Sequence, residues 1–287
     1  MKISRTIATL ALAAWGAANA ACLTDSEAAE LFDRFAQKTP ATLPAITSEA
    51  DGACSRTKIN ALLALQYGKV VGYKAGLTNP AVQKRFGADK PVWGVLYEGM
   101  ILDNGATVDA AFGARPLFEA DMLVRVRSAA INGAKTPMDV LESIDQIIPF
   151  IELPDLVVVN PGALNGNGIS AINVGARLGV AGQPIVAPLF RAERYAMLDA
   201  LRDMTVVITD GGGAELSRGK GSDILEHPLN AVVWLAGALA AQGLAMEPGQ
   251  WISLGSFSPL TPPKPGQKIV VRYEGLPGAM PVSVSFR

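Results

Sequence analysis

The chain has 287 residues, with 25 lysines and arginines against 26 aspartates and glutamates, a net charge of −1, and 49% apolar residues. Balanced charge without a basic block argues against nucleic acid as a partner. The length suits one medium domain with a helical addition, and half the residues are available for a core.

The N-terminus reads as a targeting segment. Lys2 and Arg5 precede a short apolar run, Ile7 to Trp15, and Ala18-Asn19-Ala20 is an A-x-A cleavage pattern that makes Ala21 the new N-terminus. The run is too short to span a bilayer. The expectation is a signal peptide over 1–20 and a periplasmic or secreted protein, with no membrane association after cleavage. Cys22 and Cys54, the only two cysteines, then read as one disulfide. Closing that loop would contribute about 3–4 kcal/mol in the chain-entropy model. Two free thiols are the alternative.

Thr24-Asp25-Ser26-Glu27 is a capping box that starts a helix carrying Ala28, Leu31, Phe32 and Phe35. Thr39-Pro40 stops it. A second helix is predicted from about Thr57 to Tyr67, completing a helical segment over 21–71. From Gly72 the texture changes to short strands and Gly/Pro turns, predicting a second unit over 72–287. Asp103-Asn104-Gly105 reads as a hairpin-type turn, Leu123 to Val126 as a strand, Pro137 to Ile148 as a helix and Asn160 to Gly168 as a loop. Thr205–Thr209 and Glu215–Ser217 flank a glycine turn as a hairpin. His227-Pro228 opens a helix through Ala241. Strands follow at Trp251–Leu254, Lys268–Tyr273 and Val282–Phe286. The pattern is mixed α+β rather than a regular βαβ alternation.

Three acids stand in apolar runs. Glu119 and Asp121 lie in Pro116-Leu117-Phe118-Glu119-Ala120-Asp121-Met122-Leu123, and Glu152 in Pro149-Phe150-Ile151-Glu152-Leu153. Burying a carboxylate there is costly without a cation or hydrogen bonds. The i, i+2 spacing puts Glu119 and Asp121 on one face of a strand. If Glu152 converges on that face, three oxygen donors suit Mg²⁺ or Mn²⁺. An E-x-D on a half-exposed strand is the plain alternative. Lys74, among the small residues of Gly72-Tyr73-Lys74-Ala75-Gly76, would anchor a carboxylate or move a proton, or else sit in a surface turn. His227, the only histidine, reads as a helix-capping residue, which leaves hydrolytic triads without a second imidazole. Ser256, after a strand in Gly255-Ser256-Phe257-Ser258, would donate to a bound carboxylate.

Four segments together resemble the 2-keto-4-pentenoate hydratase and 4-oxalocrotonate decarboxylase branch of the fumarylacetoacetate hydrolase superfamily. They are Gly72–Thr78 with Val82-Gln83 and Phe86-Gly87; Arg115–Asp121; Pro149–Glu152; and Arg218, Gly221-Ser222 and His227–Ala236. The resemblance spans about residues 25–287. It implies a fumarylacetoacetase-like mixed β-sandwich or roll with flanking helices, a divalent cation and homo-oligomers. The family's metal motif falls on Glu119, Asp121 and Glu152, its lysine on Lys74 and its C-terminal turn on Gly255-Ser256. Two segments depart from the pattern. Val92 replaces an acid in Asp89-Lys90-Pro91-Val92-Trp93-Gly94. Around Asn165–Asn173 family acids are missing, leaving Ser170 and Asn173, the latter expected at the substrate.

What the resemblance implies for activity is a metal-dependent lyase acting on a small-molecule 2-oxo acid. Metal chelation of the carboxylate and 2-oxo oxygen would stabilise enolate-like charge. Hydration of a 2-hydroxydienoate such as 2-hydroxypenta-2,4-dienoate is the first expectation. Decarboxylation of the 4-oxalocrotonate type is second and acylpyruvate hydrolysis third. A catalytically inactive periplasmic binding protein on the same scaffold is the remaining alternative.

Overall fold

The computed structural model describes residues 22–287. The 1–20 segment and its A-x-A site lie outside the described residues. In chain order the elements are α1 (Asp25–Ala36), α2 (Glu49–Tyr67), β1 (Val70–Gly76), α3 (Pro80–Arg85), β2 (Val92–Tyr97), β3 (Ile101–Asp103), β4 (Thr107–Val108), β5 (Glu119–Val126), α4 (Pro137–Ser143) and β6 (Ile144–Leu153). There follow α5 (Gly166–Ala171), β7 (Leu178–Ala181), β8 (Ile185–Val186), α6 (Arg191–Asp203), β9 (Thr205–Asp210), β10 (Glu215–Lys220), α7 (Asn230–Ala240), β11 (Trp251–Ser253), β12 (Lys268–Glu274) and β13 (Val282–Phe286).

The strands form two sheets, the α+β architecture expected. The larger runs β2-β1-β11-β5-β6-β7-β3, with β8 also paired to β6. The smaller runs β10-β9-β12-β13-β4. Alternating burial along β12 and β13 turns Ile269, Val271, Val282 and Val284 inward, where these strands meet β6. By contrast β5 and β6 are buried almost throughout, as strands covered on both faces are.

At the N-terminus the capping box forms: Thr24 Oγ1 accepts from the Glu27 amide, and the Glu27 carboxylate accepts from the Thr24 amide. Cys22 and Cys54 are bonded across a separation of 32 residues, tying the chain just before α1 to the second turn of α2. The helix α2 starts at Glu49, eight residues before the position expected from the sequence, because Ser48 supplies the N-cap by accepting from the Asp51 amide.

Several elements differ from the sequence reading. The helix expected over 137–148 ends at Ser143, and Ile144, Ile147 and Ile148 begin β6. Those β-branched residues satisfy a helical period, but the neighbouring β5 offers a full ladder and Pro149 cannot sit inside a helix. The loop expected over 160–168 contains the start of α5, capped by Asn165 accepting from the Gly168 amide. The Asp103–Gly105 turn is not a hairpin: β3 pairs with β7 and β4 with β13, so the turn passes the chain between the two sheets.

Candidate active site

Strand register brings the acids together. Glu119 and Glu152 are directly opposite each other on β5 and β6. Asp121 lies two residues along β5, and side chains at i and i+2 share a face. Across β11, which pairs with both β1 and β5, Lys74 aligns with Ser253 and Ser253 with Leu123. One face of four adjacent strands therefore carries Lys74, Ser253, Asp121, Glu119 and Glu152. All five are buried.

Lys74 is 2% exposed and donates from Nζ to Glu152 Oε1 and, at 3.1 Å, to the Val174 carbonyl. Burial lowers its pKa to about 8, against the pull of Glu119 and Asp121. Burial also pushes the Glu119 carboxyl up, opposed by Lys74 and by a hydrogen bond from Ser256. Asp121 is raised to about 7, first by burial, with Glu119 adding repulsion and the Ser253 hydroxyl and Met122 amide opposing it. These shifts express burial first; three carboxylates facing one ammonium also leave an excess of negative charge when all are ionised, which shows in the repulsion of Asp121 by Glu119.

A cavity of about 400 Å³ opens onto this face and is lined by Lys74, Thr78, Glu119, Glu152 and Ser256. Its walls are largely apolar, with Leu77, Phe86, Leu156 and Leu260, while Arg85, Arg218 and Asp223 also border it. Ser256 Oγ donates to the Ser258 carbonyl at 2.7 Å and sits beside Glu119. Thr78 Oγ1 is buried on the wall without a hydrogen-bond partner among the described residues. Such an orphan is uncommon in folded proteins and suits a ligand or water contact.

Two expected participants do not reach the cavity. Asp121 turns its oxygens to Ser253 Oγ at 2.5 Å, the Gly255 amide at 3.0 Å and its neighbour Met122. Among the described residues, no three acidic, histidine or cysteine side chains stand round one point in metal-binding geometry. The ties on Asp121 and the Lys74–Glu152 contact account for this. The donor chemistry still fits a hard divalent cation: the acids offer oxygen only, lie on one face, and carry uncompensated charge.

Asn173 is likewise spoken for. Its amide accepts from the Val95 N–H at 2.7 Å and donates to the Val95 carbonyl at 3.0 Å, so it serves as a strand-edge mimic for β2 rather than a substrate contact. Asn173 and Val174 both adopt left-handed backbone, φ 54° and 55°, a strained state for a β-branched residue. That turn aims the Val174 carbonyl at Lys74. Gly76 permits its approach, since a Cβ there would lie 2.4 Å from Val174 Cγ1. Ser170 instead accepts from Arg56 at 2.6 Å, and Val92 lines a different cavity. His227 caps as expected: Nδ1 accepts from the Leu229 amide and Nε2 faces the Leu198 carbonyl, both at 3.1 Å.

The sequence reading missed Ser253 and Thr78. Ser253 was signalled by the alternation of Trp251-Ile252-Ser253, which puts a hydroxyl on a face otherwise expected to be apolar. Thr78 stood inside the Gly72–Thr78 segment with no pattern of its own.

No family model matches the chain. It is 31% identical over 209 residues to the 4-oxalocrotonate decarboxylase of Pseudomonas sp. strain CF600, covering 72% of this chain and 75% of that protein. It is 28% identical over 230 residues to 2-keto-4-pentenoate hydratase 2 of Dechloromonas aromatica, covering 80% and 84%. Among solved structures, the 4-oxalocrotonate decarboxylase of Pseudomonas putida G7, complexed with magnesium and adipate, superposes with a TM-score of 0.76 at 26% identity, over 93% of this chain and 100% of that one. These relatives are cytoplasmic bacterial enzymes, which corrects the expectation of a periplasmic or secreted protein. That expectation rested on Lys2 and Arg5, the short apolar run after them and the A-x-A pattern at Ala18–Ala20.

Proposed function

The chain belongs to the family of 2-keto-4-pentenoate hydratases and 4-oxalocrotonate decarboxylases, within the fumarylacetoacetate hydrolase superfamily, and from that premise we propose a divalent-metal-dependent lyase that hydrates a 2-hydroxydienoate such as 2-hydroxypenta-2,4-dienoate. The observation that carries this reading is the direct pairing of Glu119 with Glu152 beside Lys74 at the floor of one cavity. We assign residues 72–287 as the catalytic unit.

Glu119, Asp121 and Glu152 are the groups assigned to hold Mg²⁺ or Mn²⁺; magnesium accompanies the related decarboxylase structure. When bound, the ion would act as a Lewis acid for enolate-like charge on the 2-oxo acid. The chain's own residues have distinct tasks. Lys74, an ammonium in a dry site, holds the substrate carboxylate and carries a proton that it can release near neutral pH. Ser256 and the orphaned Thr78 hydroxyl orient the same anionic end. Leu77, Phe86, Leu156 and Leu260 exclude water from the hydrocarbon chain. Asn173 is a positioning residue: it fixes the strained turn whose Val174 carbonyl holds Lys74.

Decarboxylation is the second reading, and one feature favours it. Arg85 and Arg218 border the cavity, where a guanidinium suits a second, distal carboxylate. We also propose self-association, supported by the exposed Val186, Leu189, Phe190 and Met280. Ultraviolet monitoring of 2-hydroxypenta-2,4-dienoate and 2-oxo-3-hexenedioate, with Mg²⁺ or Mn²⁺, separates the two lyase readings. Metal-dependent loss of the dienoate, abolished in Glu119→Ala, supports hydration. Consumption of the hexenedioate alone replaces hydration with decarboxylation. No turnover of either by folded, metal-loaded protein overturns both.

A further inference from the structure

A second cavity, of about 790 Å³, shares no lining residue with the first. On its wall lies Arg56 of α2, 3% exposed. A buried guanidinium ordinarily has a carboxylate partner, because an unpaired charge away from water is costly. Here every acceptor is neutral. Nη1 donates to the Trp93 carbonyl at 3.2 Å and to Ser170 Oγ at 2.6 Å, and Nη2 donates to Gln242 Oε1 at 2.9 Å. The guanidinium carbon lies 3.5 Å from the centroid of the Trp93 ring. Glu49, the acid whose charge bears on Arg56, is occupied by Lys90 at 2.7 Å. Among the described residues Arg56 forms no salt bridge.

A guanidinium has five N–H donors. Three are used, so Nε–H and one Nη2–H have no protein acceptor among the described residues. Trp234 and Asn167 line the same cavity, and the Asn167 side chain also makes no hydrogen bond among those residues. We propose that this cavity is a second ligand site, taking a small organic monocarboxylate with an apolar body, its carboxylate on Arg56 and its body against Trp234. Lys90, which also lines the cavity, is paired with Glu49, so Arg56 is its one cation without an ion-pair partner among the described residues, and it calls for a single negative charge. A dianion such as phosphate would bring surplus charge close to Asp89, which lines the same cavity and forms no salt bridge among the described residues. The two cavities adjoin through neighbouring residues: Ile169 lines the first and Ser170 the second, while Trp93, whose carbonyl Arg56 holds, precedes the Gly94 that pairs with Lys74.

The test uses benzoate as probe and full-length protein freed of metal with EDTA, which removes metal-held binding at the acidic cluster and leaves the variants below to tell the two cavities apart. Calorimetric titration should give one saturable site per chain. Arg56→Met removes the guanidinium and should weaken binding at least about tenfold, the scale of a lost charge-assisted hydrogen bond. Because that change also removes three structural bonds, Gly237→Phe provides the second arm. Gly237 lines the cavity, and a Cβ there meets nothing within 4 Å, so the ring enters open space on α7 and blocks the site without disturbing the fold. It should abolish binding with an unchanged melting temperature, whereas Glu119→Gln should leave binding intact. Absence of saturable heat at millimolar benzoate, or undiminished binding in Gly237→Phe, overturns the proposal and leaves Arg56 as a structural strap.

Discussion

Replacing Lys74 by methionine removes the cation buried against the three carboxylates while keeping the length of the side chain. Lys74 is 2% exposed and Glu152 3% exposed, so the pair is not screened by solvent. Breaking a buried ion pair from one side costs about 3–5 kcal/mol, chiefly because the remaining charge is stranded. Against a typical total stability of roughly 5–15 kcal/mol, that loss is large. Urea unfolding of metal-free protein at pH 7.5 should show it as a fall in midpoint at constant slope. The loss should shrink as pH falls. Burial already raises Glu119 and Asp121 above their unfolded values of 4.5 and 3.8, and without the ammonium they rise further. The folded state then binds more protons than the unfolded one and gains relative stability with acid. The double variant Lys74→Met/Glu152→Gln should recover part of the loss, since neither half of that pair remains while Glu119 and Asp121 still lack their cation. An unfolding free energy within about 0.5 kcal/mol of wild type for Lys74→Met, the range of ordinary surface changes, would refute the reasoning. So would a double variant that is less stable than the single.

Reduction of Cys22–Cys54 should lower stability by about 3–4 kcal/mol, because the bond closes a long loop in the unfolded chain; equal urea midpoints with and without dithiothreitol would contradict it. Burial holds the His227 imidazole below its usual 6.5, so the folded state resists the proton that the unfolded state accepts. That stability is complete above pH 6.5 and is lost as pH falls below it, and His227→Asn, which keeps an acceptor for the Leu229 amide, should flatten this part of the unfolding profile.

The acids at 119, 121 and 152 were legible because a carboxylate in an apolar run demands an explanation, and the i, i+2 spacing gave their common face. Their pairing partners were not, since register depends on strands far apart in sequence. The stretch at 144–148 was misread because isoleucines at 144, 147 and 148 satisfy a helical stripe as well as a buried strand. Only the ladder with β5 separates the two. The helix α6 escaped notice because Met197 and Leu201 alone are buried along it, too few to mark a stripe. Asn173 looked like a substrate contact because it is a polar group left in the segment where the family's acids are missing; resemblance does not show that the edge of β2 takes both of its amide atoms. Asp121 shows the same limit: its charge was visible, but not the Ser253 hydroxyl and Gly255 amide that claim its oxygens.

The central claim is that Glu119, Asp121 and Glu152 form one divalent-cation site for a 2-oxo acid. Electron paramagnetic resonance of Mn²⁺ titrated into metal-free protein tests it without requiring turnover. The account predicts one bound Mn²⁺ per chain, held more tightly in the presence of the unreactive 2-oxopentanoate and lost in both Glu119→Gln and Glu152→Gln. Mn²⁺ remaining free at protein excess, or bound equally by both variants, would contradict it.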